Sequence, residues 1–311
     1  MRSDAHDQAA GLRRLLARSS SRVVTVVGAR DGLGATSIVV NLAAVLAGSG
    51  KDVLVLDENH APDNLLDRLG LFACHDLLDV AQGKCRPRQA LLKAKGFGVL
   101  PAARAMHALA RLSRDEQQRL EDALTEVSKG VDVMLVDAAM PALSRVEGLS
   151  GRTAASSSLA NGAALLVVVD ATASGITESY ALIKRLALEN ARMQFEIVVN
   201  KVADEQAALT VFDNMAKVAR RNLAVRLEYL GCIPQDDRLK RATQLGRSVV
   251  EAFPAASSAR ACLTMSEKLL RLPVPHQDEA ETGVRALIQS LVRQVAQPLQ
   301  RHSREMAHVV N

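Results

Sequence analysis

Residues 28–37 read GARDGLGATS, between a strand-like run, Val23–Val27, and a helix-like run, Ile38–Leu46. In a strand–loop–helix of this kind, successive backbone N–H groups and the helix N-terminus converge on an anion, and glycines let the backbone approach it closely. Gly32 and Gly34 stand where such a turn needs them, and Thr36 stands where a hydroxyl could ligate magnesium. The position before that threonine, where such a loop carries a lysine, is Ala35. The chemistry on offer is phosphate binding without the loop's own cation. A glycine-rich loop is by itself a weak signal, because many α/β proteins carry one for structural reasons.

The elements that must position this loop are legible as short aliphatic runs: VVTVV (23–27), DVLVLD (52–57), FGVL (97–100), VDVMLVD (131–137), AALLVVVD (163–170), FEIVVN (195–200) and LEYLG (227–231). Most lack polar alternation, as strands buried on both faces do. Helical patterns such as Thr177–Glu189 and Glu205–Arg221 lie between them. Strand and helix alternating in this way predict an α/β fold: a doubly wound, mostly parallel sheet flanked by helices. Both ends break the rhythm. The expected organisation is residues 1–21 as a short basic helix and serine linker, 22–272 as the core, and 273–311 as a linker and C-terminal amphipathic helix.

Composition narrows the function. At 311 residues and 48% hydrophobic, the chain can bury a sizeable core. Aromatic residues make up 2% with no Trp, which argues against base-stacking nucleic-acid platforms. The net charge of +5 is mild and does not demand a nucleic acid. Cys74, Cys85, Cys232 and Cys262 share no metal-ligand spacing and are expected to be buried, reduced thiols. With no apolar leader and no run of about 18 apolar residues, the expected location is cytoplasmic.

Several blocks in this order and spacing, VLVLD (53–57), MLVDAA (134–139), ITESYALIKRL (176–186), VVNKV (198–202) and YLGCIPQD (229–236), carry a family likeness. Over residues 23 to about 272 the chain resembles the MinD/ParA group of deviant phosphate-loop ATPases. Within that group it is similar to the FlhG (FleN, YlxH) type of flagellar number and placement regulator. The resemblance implies a MinD-like phosphate-loop fold, with Thr36 and Asp137 holding magnesium if nucleotide binds and Asp57 as the switch carboxylate near it. It also implies that Asn200 reads the adenine edge and that Pro234 lines the base. The departures from the family loop, K-G-G-V-G-K-T, are specific. Arg30 replaces the signature lysine that reaches a dimer partner's phosphates, Ala35 replaces the loop lysine, and Asn59 replaces the second switch aspartate. Asp31 puts a negative charge where a glycine is expected. The expectation is a degenerate ATPase scaffold that binds ATP and magnesium weakly at best and hydrolyses little or none, with no residue assigned as catalytic.

The head, DQAAGLRRLL (7–16), matches the FlhG activator pattern D-Q-A-x-x-L-R through Asp7, Gln8, Ala9, Leu12 and Arg13. In that family the segment docks as a helix on the signal-recognition-type GTPase FlhF and stimulates it. Asp7 suits an N-cap, Leu12, Leu15 and Leu16 form an apolar stripe, and Gln8 would orient the attacking water. In the tail, Val284, Leu287, Ile288, Leu291, Val292 and Val295 make one apolar helix face with arginines nearby. That helix either lies on a membrane surface or packs on the body. The reading is thus an FlhG-like regulator acting on an FlhF-type GTPase, with flagellar basal-body or transcriptional regulators and a homodimer as further partners. Its place would be the cytoplasm, the inner-membrane surface or the cell pole. The alternatives are an ATP-dependent dimer switch of the MinD/ParA type and a ParA-like partition protein.

Overall fold

The computed structural model describes residues 21–60, 64–139, 164–190 and 192–272. The activator segment at 7–16 and the apolar face from Val284 to Val295 lie outside the described residues.

Eight strands form one sheet: β1 (Arg22–Gly28), β2 (Val53–Asp57), β3 (Leu92–Lys93), β4 (Gly98–Pro101), β5 (Val133–Asp137), β6 (Ala164–Asp170), β7 (Gln194–Val202) and β8 (Arg226–Pro234). Their order across the sheet is β3-β4-β2-β5-β1-β6-β7-β8, and every pair is parallel except β3–β4 at the edge. The doubly wound, mostly parallel sheet expected from the aliphatic runs is therefore present. The antiparallel edge is new, because Leu92–Lys93 is too short to stand out as a run.

The longer helices are α1 (Ala35–Gly48), α6 (Arg114–Val127), α7 (Ala173–Asn190), α8 (Glu205–Leu223) and α11 (Ser257–Arg271). Shorter ones are α2 (Leu65–Leu69), α3 (Leu77–Ala81), α4 (Pro87–Ala90), α5 (Ala103–Ala108), α9 (Asp237–Gln244) and α10 (Val249–Ala252). Side chains punctuate them: Asp204 accepts from Ala207 N at 2.8 Å to start α8, and Asp236 accepts from Arg238 N at 2.9 Å to start α9.

β5 shows why polar alternation is missing. Val133 and Leu135 enter one apolar cluster with α1, while Met134 and Val136 enter a second with α3 and α6. Both faces are dry, so every position is aliphatic. Arg22 ties the start of β1 to the end of α11, donating to Leu272 O at 2.7 Å and Leu270 O at 3.0 Å. Of the four cysteines expected to be buried, only one is. Cys262 is buried and Cys85 and Cys232 are half-buried, but Cys74 is exposed, on the loop after α2 that also leaves Phe72 in solvent.

Candidate nucleotide site

In an open α/β sheet, ligands bind outside the carboxyl ends of the strands. Here β2 ends at Asp57, β5 at Asp137, β1 at Gly28 and β6 at Asp170, with Asn200 near the end of β7 and Pro234 ending β8. Gly28, Asp137, Asn200 and Pro234 border one cavity of about 560 Å³. Arg30, Gly32, Gly34, Ala35, Thr36, Asn59, Asp137, Asn200 and Pro234 all line it. Asp57 does not; it is paired in register with Asp137 on the neighbouring strand and lies behind the cavity wall.

The loop needs its glycines. Gly32 and Gly34 have φ of +79° and +97°, a region costly for any residue with a Cβ. A Cβ on Gly34 would also collide with the side-chain amide of Asn200. That amide donates to Leu33 O at 2.7 Å, and its oxygen accepts from Lys201 N at 2.9 Å. Asn200 therefore braces the loop from β7. Gly34 is the N-cap of α1, and no side chain caps that helix, so its first-turn N–H groups face an anion site without a built-in competitor.

At the far side of the loop, Asp57 and Asp137 are 2% and 0% exposed. Burial, with the neighbouring Asp137 charge adding to it, pushes the Asp57 carboxyl up to about 8. Burial likewise pushes Asp137 up to about 7, against the pull of Thr36, Arg68 and Asn59 beside it. Neither oxygen of Asp137 has a partner in hydrogen-bonding geometry. A buried, orphaned carboxylate beside a hydroxyl is a donor set suited to a hard divalent cation. Thr36 and Asp137 therefore fit magnesium on chemistry as well as on position. Asn59 complicates the set: its Nδ2 donates to Thr36 Oγ1 at 3.2 Å, and its backbone N donates to Asp57 Oδ1 at 3.1 Å. An amide donor, rather than a second carboxylate, covers the hydroxyl.

The cations are arranged differently from what the loop sequence predicts. Arg30 is bound to its own chain, through Nη2 to Asp170 Oδ2 at 3.2 Å and Nε to Glu178 Oε2 at 2.7 Å. Three further cations that sequence reasoning passed over line the cavity: Arg68, Lys201 and Lys240. Arg68 donates to Ser37 Oγ at 2.8 Å, and Lys240 pairs with Asp237 at 3.3 Å. Lys201 donates to Gly32 O at 2.6 Å. Its signal was present in VVNKV, a lysine directly after a strand-end asparagine, but only the fold turns it toward the loop.

Residues 24–249 match the CobQ/CobB/MinD/ParA nucleotide binding domain family. The antiactivator FleN of Pseudomonas aeruginosa is 34% identical over 255 residues, covering 82% of this chain and 88% of FleN. This chain belongs to the MinD/ParA family, in its FleN/FlhG branch. An ATP-binding protein of Methanocaldococcus jannaschii is 29% identical over 252 residues, 79% of this chain and 87% of its own. The cell division ATPase MinD of Pyrococcus furiosus superposes with a TM-score of 0.60 at 22% identity, over 81% of this chain and 100% of MinD, which shows the shared fold. Set beside that family match, the cavity lies at the carboxyl ends of the strands, where an open α/β sheet takes its ligand, and Ala35 and Asn59 are among its lining residues.

Proposed function

We propose that this FleN/FlhG-type protein regulates flagellar number through a core that keeps the nucleotide pocket of its family as a scaffold without turning nucleotide over. Its 34% identity to FleN supports the flagellar role. The observation that carries the non-hydrolytic reading is the Asn59–Thr36 contact at 3.2 Å in a loop whose lysine position is Ala35. Thr36 and Asp137 would hold magnesium, which when bound supplies charge neutralisation at the phosphates. Asn59 presents a donor where a carboxylate would be needed to orient an attacking water. Losing one preorganised electrostatic group in such a site costs on the order of 10²–10³ in rate, and Asn59 stands where the water-orienting carboxylate would be. Arg30 is held within its own chain by Asp170 and Glu178. That contact speaks against the rival reading, an ATP-driven dimer switch in which Arg30 stands in for the signature lysine.

The output in this reading is the head: residues 7–16 act on an FlhF-type GTPase, and the core presents them. Basal-body or transcriptional regulators, a membrane surface at the cell pole and a second copy of the chain are further partners of the same reading. The core is tested by phosphate release from magnesium–ATP together with calorimetric titration. The expected result is release at background, with affinity no tighter than about 10⁻⁴ M. Steady release that saturates with ATP would overturn it.

A further inference from the structure

Lys201 is placed at a cost. Its φ is +59°, a left-handed conformation that residues with a Cβ adopt rarely, and among the described residues only Ala224 shares it outside glycine. Ala224 caps the end of α8, where such a conformation is ordinary. Lys201 instead lies within β7, where the pairing with β8 shifts register between Asn200 and Val202. Irregularities of this kind re-aim a side chain that regular pleating would send elsewhere. The re-aimed ammonium reaches Gly32 O at 2.6 Å, across 169 residues of sequence.

The other cavity-lining cations contrast with it. Arg30 faces two carboxylates, Lys240 faces Asp237, and Arg68 donates to Ser37. Among the described residues Lys201 has no acidic partner; a single loop carbonyl accepts from it. Its ammonium therefore stands at the loop that would wrap a phosphate chain, two residues before the uncapped N-terminus of α1. On the opposite side of that loop the orphaned carboxylate of Asp137 points to a cation in the same cavity. A cation site and an anion cradle side by side are what a metal-bound diphosphate requires.

We propose that Lys201, supplied from the end of β7, is the phosphate-binding cation of this pocket and takes the place left by Ala35. On this view the ligand is a magnesium-bound nucleoside diphosphate or triphosphate, and the lysine exchanges the Gly32 carbonyl for a phosphate oxygen on binding. The inference rests on the reading of the cavity as a nucleotide pocket. It adds a residue that no loop motif identifies.

The test is calorimetric titration of the full chain with magnesium–ADP and, separately, with AMP, alongside thermal melts. Lys201→Ala is expected to weaken ADP at least tenfold, the scale of a lost charge-assisted contact, and AMP less than about twofold. Lys201→Gly removes the same ammonium but relieves the left-handed strain. It should melt no lower than the parent chain while losing ADP to the same extent, which separates a binding role from a structural one. Lys129→Ala, at an exposed lysine outside the cavity, should leave ADP affinity within about twofold. The proposal is overturned if the parent chain fails to bind ADP, if the Lys201 variants bind it unchanged, if AMP weakens equally, or if Lys129→Ala matches the loss. Phosphate release from ATP would instead sink the non-hydrolytic reading and leave Lys201 in its role.

Discussion

The Nη2 of Arg30 lies 3.2 Å from Oδ2 of Asp170, a carboxylate at the end of β6 that is 3% exposed. The same aspartate accepts from the backbone N of Thr172 at 3.1 Å and from the Thr172 hydroxyl, so it organises the turn into α7. Asp170→Ala should therefore destabilise the chain by about 1–3 kcal/mol, because buried donors lose their acceptor. Glu178→Ala removes only the exposed half of the arginine's clamp and should cost less than about 1 kcal/mol. Urea unfolding of both variants checks this, and equal midpoints would show that Asp170 is not the anchor.

Asp57 and Asp137 set a pH dependence whose sign follows from their environment. Both carboxyls sit above their ordinary value of 3.8, at about 8 and about 7. The folded chain thus holds more protons than the unfolded one across that interval. Their stabilising contribution is complete below about pH 4 and is lost as pH rises through 7 and 8. In metal-free buffer, Asp137→Asn should gain several degrees in Tm over the parent chain at pH 8.5 and nothing at pH 4. Millimolar magnesium at pH 8.5 should raise the Tm of the parent chain and not of the variant. Parallel melting curves across pH would refute the assignment.

The head is tested apart from the core. A peptide of residues 1–20 should speed GTP hydrolysis by an FlhF-type GTPase without ATP. Gln8→Ala should lower stimulation about tenfold while leaving binding nearly intact, since a water-orienting contact acts in the transition state. Leu12→Asp should abolish binding by placing a charge in an apolar groove. Unchanged GTP turnover at saturating peptide would end the activator reading.

The tail gives a binary outcome. If the apolar face from Val284 to Val295 lies on anionic lipid, full-length chain should pellet with phosphatidylserine vesicles, and a chain ending at Leu272 should stay in the supernatant. Arginines near such a surface contribute about 1 kcal/mol each, so 0.5 M salt should release it. Equal pelleting of the two chains would place the helix on the body.

The parallel strands, the loop and most of the cavity wall are legible in the local residue pattern. Strands dry on both faces must be aliphatic throughout, as in VMLVD of β5, and a phosphate loop is a local strand–turn–helix whose glycines are visible as spacing. Gly32, Gly34, Thr36 and Asp137 were legible for that reason, since each sits at a strand end or loop position that its neighbours in sequence define. Contacts between strand ends far apart in the chain came instead from how the strands pack. Arg30 meets Asp170 and Glu178 because β1 and β6 are neighbours. The Asp137 charge helps push the Asp57 carboxyl up because β2 and β5 set the two in register. Lys201 reaches Gly32 at a register shift between β7 and β8. Side-chain proximity across a parallel sheet is set by strand order and register, and neither is written in the local pattern of the residues that meet.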